Sequence, residues 1–91
     1  SIAVLTVAQH RSAHRRDLTS ILQQSDRVVT ARLAEAAAKG ELSTIKAPEE
    51  LAKVLVSVMF TLSLRARSGT KRKELDIIAA CAIALVTGAI A

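Results

Sequence analysis

Apolar residues recur through most of the chain at intervals of three and four, the pattern of helices that each bury a stripe. It is densest in the second half, where Leu51, Val54, Leu55, Val58, Met59, Leu62 and Ala66 fall on one face of a helix opening near Pro48. A second row, Val56, Phe60 and Leu64, fills much of the opposite side. A helix apolar on two sides has to cover both, so one side is expected to meet its own chain and the other a second copy. Arg65 and Arg67 suit the negative end of the helix dipole, and Gly69 can take the left-handed conformation that closes the helix. Thr70 is the expected N-cap of the next helix, which begins near Lys71 and carries Leu75, Ile78, Ala79, Ala82, Leu85 and Val86 on one face. Residues 48 to 85 therefore predict an antiparallel helical hairpin. The small residues Ala80, Cys81, Ala84 and Gly88 let its second helix approach neighbours closely.

The first half predicts two further helices, making four in all. Residues 1 to about 10 read as a short apolar helix, with Ile2, Leu5 and Ala8 available for burial. His10 to Arg16 is polar and basic and reads as a connection or a frayed turn. Asp17 is then placed to open the next helix as N-cap or in its first turn. That helix runs through Leu18, Ile21, Leu22, Val28, Val29, Leu33, Ala36 and Ala37, and ends at Lys39-Gly40. Its apolar residues are one-sided, so it belongs at the periphery. Pro48 restarts the chain as a first-turn residue whose missing N–H costs nothing there, with Glu49 and Glu50 at the positive end of the dipole.

Composition narrows the class. Hydrophobic content is 51% with Phe60 the single aromatic residue, which describes an Ala/Leu/Val helical protein rather than a sheet. With 91 residues there is material for one domain and no linker to a second. The abrupt apolar start, with no initiating Met, reads as a fragment of that domain, residues 1–91. The lone Cys81 has no internal disulfide partner and sits in an apolar helix, which fits a cytoplasmic protein. From Ile77 onward no residue is charged, yet this run falls short of the roughly 20 residues a bilayer core requires, so no membrane span is expected. Net charge is +5, which invites a nucleic-acid reading. The basic residues lie at expected helix ends and turns and have no aromatic neighbours for base stacking, so solvated turns are the preferred account.

Chemistry is sparse. There is no Gly-rich phosphate loop, no supported Ser/His/Asp set and no Cys pair, so an enzyme and a bound cofactor are not expected. His10 and His14 share a helical face at metal-ligand spacing, but three arginines crowd them and no carboxylate precedes Asp17, so no metal site is assigned. A small-molecule pocket is apolar and reads like core; Met59 and Phe60 are its deformable and aromatic candidates, with an ordinary core or interface role the plainer account.

The ordered set Ala31-Arg-Leu-Ala-Glu-Ala-Ala-Ala-Lys-Gly40-Glu41-Leu42, Ala47-Pro48-Glu49-Glu50-Leu51-Ala52, Leu64-Arg65-Ala66-Arg67-Ser68-Gly69 and a last apolar helix after Lys73-Glu74-Leu75 resembles the C-terminal domain of TetR-type transcriptional repressors. The resemblance spans Ala3 to Val86. It departs from the usual pattern at Ala47, where Asp is common, at Thr61, where Gly is frequent, and at Lys73, where an acidic residue is usual. What it implies is an all-α helical bundle whose last two helices pack as a four-helix bundle in a homodimer. It also implies a small apolar inducer, and operator DNA bound only through an N-terminal helix-turn-helix outside these residues. On that reading the dimer interface is expected at Leu55, Met59, Leu62, Ile78, Ala82 and Leu85. Ligand contacts are expected at Leu5, Leu22 and Phe60, which could face the space between the early helices and the hairpin. The alternative is a free-standing helical module that binds a partner helix.

Overall fold

The computed structural model describes residues 2–42 and 47–88. It is all-helical: α1 (Ile2–Ala38), α2 (Pro48–Arg67) and α3 (Arg72–Thr87), with no strand among the described residues. The hairpin predicted from residue 48 onward is present.

The first half differs from expectation. One helix replaces two, and the predicted connection at His10 to Arg16 lies inside α1, as does Asp17, which caps nothing. The physical reason is that Ile2–Ala38 contains neither Gly nor Pro, while Ala, Arg and Gln around the expected break are all good helix formers. A polar stretch exposed all round looks the same in sequence whether it is a loop or a solvated helix.

The three helix ends follow the glycines. Gly40 has φ 73°, and the Glu41 N–H donates to the Ala36 carbonyl at 2.9 Å while the Gly40 N–H donates to Ala37 at 3.0 Å. These two bonds make a Schellman stop. The same pair recurs after α2, where Gly69 has φ 95°, its N–H donates to Ala66, and that of Thr70 donates to Arg65. Gly88 closes α3 in the same left-handed conformation. Pro48 occupies the first turn of α2 behind Ala47, whose methyl offers no cap bond. Lys71 rather than Thr70 is the N-cap of α3, also without a side-chain bond.

α2 packs against both α1 and α3. Its first turns meet the C-terminal end of α1 and the end of α3, where Leu33, Leu51, Ala52 and Val86 form the core with Val29, Leu42 and Leu55 packed around it. Leu33 is the one buried residue of α1, which is peripheral as expected. Val56, from the second apolar row, is the largest fully buried side chain at 1% exposure.

The result is a layer rather than a closed bundle. Its Cα radius of gyration is 17.1 Å and its extents are 57 × 31 × 16 Å, whereas a compact domain of this length would have a radius near 12 Å. The long axis is α1 itself, whose 37 residues at 1.5 Å each span about 55 Å. Residues 2–21 of α1 are exposed at every position and overhang the hairpin.

Candidate functional site

Since α2 and α3 are antiparallel, the hairpin has two broad faces, and α1 covers only part of one. On the α1 side an apolar groove of about 220 Å³ is lined by Val29, Leu55, Val58, Met59, Leu62, Ala79, Ala82 and Ile83. Every lining residue is aliphatic or Met. On the side away from α1 a shallower groove of about 440 Å³ is lined by Val54, Ser57, Val58, Thr61, Leu62 and Ile78, with Lys53 and Arg65 also on its lining. Leu85 lies seven residues, two helical turns, beyond Ile78 and so shares its side of α3; it is 65% exposed.

The outer face also holds polar groups that are already satisfied. The Ser57 hydroxyl donates to the Lys53 carbonyl at 2.7 Å, and that of Thr61 donates to Ser57 at 3.0 Å. A hydroxyl bonded back into its own helix can be covered by an apolar surface without leaving an unmet donor. Thr61 therefore keeps this face coverable although it carries more bulk than Gly.

The structure separates the six residues expected at an interface. Leu55, Met59 and Ala82 line the groove on the α1 side, Ile78 and Leu85 lie on the outer face, and Leu62 reaches both grooves. The three expected ligand contacts do not form one site. Leu5 is exposed on the overhang, 17 residues and about 25 Å along the helix from Leu22. Leu22 and Phe60 are half-buried, and neither lines the apolar groove. Sequence reasoning missed Val29, Val58, Ala79 and Ile83 as groove residues. The helical spacing of Val29, Val58 and Ala79 was legible, whereas Ile83 lay outside the apolar row read for its helix, and which of them face one another depends on how the helices are set side by side.

No group of three or more His, Cys, Asp or Glu that could hold a metal occurs among the described residues. His10 and His14 do share a face of α1, in a shallow groove with Arg11, Arg15 and Leu18. No helix among the described residues is long and apolar enough to cross a membrane.

The electrostatics are one-sided. Leu33 meets Leu51 and Val86 at one end, and Gln24, Ser25 and Val28 lie beside Met59 further along. Going toward the N-terminus of α1 is therefore going toward the C-terminus of α2, and the basic run of α1 and the α2–α3 turn come to the same end. One exposed ion pair occurs there, Arg72 to Asp76 at 3.0 Å. Against known protein families, curated proteins and solved structures the chain finds no match.

Proposed function

We propose that this chain is the ligand-responsive regulatory and dimerisation part of a TetR-like transcriptional repressor in the cytoplasm, with operator recognition carried by a helix-turn-helix outside these residues. The observation that supports it most directly is the hairpin's second apolar face. Val54, Val58, Leu62 and Ile78 border a groove with no α1 residue in it, and Leu85 stands beside them in solvent. Two such hairpins laid face to face would make a four-helix bundle and cover these side chains in both copies.

On this reading the interface centres on Val54, Val58, Leu62, Ile78 and Leu85. Leu55, Met59 and Ala82 belong instead to the groove with Val29 and Ile83, where a small apolar inducer would sit. A ligand that binds one spacing of α1 against the hairpin better than another would shift the population of arrangements across the dimer. The sequence resemblance supplies the DNA side of this reading, and the two-faced hairpin is what a ligand-coupled dimer needs.

Leu85→Asp gives a clean test because Leu85 is exposed in the monomer, so the change costs little in folding. In a dimer it would bury a charge with no partner. Native mass spectrometry across a concentration series should show a dimer for the wild-type chain and a monomer for the variant. A wild-type chain that stays monomeric at tens of micromolar, or a variant that dimerises equally well, would overturn the interface.

A further inference from the structure

Charge is distributed along this molecule in a way its total conceals. Of 13 Lys and Arg and 8 Asp and Glu, eight cations and three carboxylates belong to the overhang of α1 and the α2–α3 turn. The cations are Arg11, Arg15 and Arg16 on the helix, then Arg65, Arg67, Lys71, Arg72 and Lys73 around the turn. The carboxylates are Asp17, Glu74 and Asp76. In the rest of the chain the five remaining cations and five remaining carboxylates cancel. The whole net charge of +5 therefore sits at one end of the fold.

Among the described residues, only Arg72 of these eight cations has a carboxylate partner. All eight are exposed. Arg11 and Arg15 lie one turn apart on the same face as Val4, Val7, Ala8 and Ser12, a continuous strip of the overhang. Continuing α1 and α2 at 1.5 Å per residue from the level of Met59 and Ser25 brings Arg16 and Arg67 to similar heights. Both runs lie within a body 31 Å wide, less than one turn of duplex DNA at about 34 Å.

We propose that this basic end is a binding surface for the phosphate backbone of double-stranded DNA, engaged without sequence preference. Six of the eight cations are Arg, whose planar fork binds phosphate oxygens in pairs. Two separated basic runs suit a duplex, whose phosphates lie in two rows across a groove. A single strand would need aromatic platforms for its bases, and Phe60, the chain's one aromatic residue, lies in α2 outside this end. An anionic membrane surface is the competitor, because Ile2, Val4, Leu5 and Val7 are exposed on the overhang and Leu64 beside the turn, and titration with phosphatidylserine vesicles separates the two. The inference stands on charge placement and does not require the dimer or the inducer.

The test is fluorescence anisotropy of a labelled 20-base-pair duplex of arbitrary sequence, titrated with the full chain at 50, 100 and 200 mM salt. Each phosphate contact adds about −0.9 to the slope of log K against log salt, so four contacts weaken binding about a hundredfold over that range. Arg15→Gln, Arg16→Gln, Arg65→Gln and Arg67→Gln together remove half of the surface's cations and should cut the magnitude of the slope by about half. Arg27→Gln, Arg32→Gln, Lys39→Gln and Lys46→Gln together remove the same charge elsewhere and should change affinity less than threefold. Circular dichroism on both variants separates lost binding from lost fold. Three results would overturn the proposal: no duplex binding at 50 mM salt, equal loss in the two variants, or tighter binding to phosphatidylserine vesicles than to the duplex.

Discussion

Leu33 is the one buried side chain of the long first helix. At 8% exposure it meets Leu51, Ala52 and Val86, while Val29, Leu42 and Leu55 around it are only half-buried. Leu33→Ala removes about three methylenes, about 2.4 kcal/mol at 0.8 kcal/mol each. The unfilled space adds a further cost that brings such changes to about 2–5 kcal/mol. Because the surrounding shell is half open and can relax inward, the lower part of that range is expected, about 2–3 kcal/mol. For a domain this small each kcal/mol moves the midpoint by about 4–8 °C, so thermal melts should fall by about 10–20 °C. Leu18→Ala is the control, since Leu18 lies on the same helix in the overhang at 45% exposure. Its effect should stay within about 0.5 kcal/mol. Both variants are compared with wild type by circular dichroism at one protein concentration, because self-association would itself raise the apparent stability. Equal losses from the two substitutions would refute the placement of the core at the C-terminal end of α1.

Other outcomes follow from the same geometry. Ala52 has no exposed surface and is packed among Leu33, Leu51 and Val86, so Ala52→Leu should force α1 and α2 apart at a cost of about 1–3 kcal/mol; an unchanged or raised midpoint in scanning calorimetry would count against that packing. A Cβ on Gly69 would meet nothing within 4 Å, so Gly69→Ala is penalised only by its φ of +95°, at about 1–2 kcal/mol. Gly69→Asn should recover part of that loss in urea titrations, since Asn tolerates the left-handed region; an Ala variant as stable as wild type would mean the turn is not held in that conformation.

Local chemistry determined where the hairpin begins and turns. Within a helix Pro48 is tolerated only in the first turn, and Gly40 and Gly69 can enter the left-handed region at no steric cost, so those boundaries were readable without any tertiary information. The helical character of the apolar stretches was readable too, because spacing of three and four places residues on one side whatever surrounds them. The expected break at His10–Arg16 misreads α1, because a solvated helix and a loop share a polar composition, and it gives too little weight to the absence of Gly and Pro from Ile2–Ala38, which is in the sequence. Nor could periodicity assign Leu55 and Met59 to one face of the hairpin and Ile78 and Leu85 to the other. A helical period gives each residue an angle about its own axis, and the direction of the neighbouring helix decides what that angle faces. The same reason hid the basic end. Arg11 to Arg16 and Arg65 to Lys73 are about fifty residues apart in the chain, and only the antiparallel run of α1 beside α2 brings their charges to one end of the molecule.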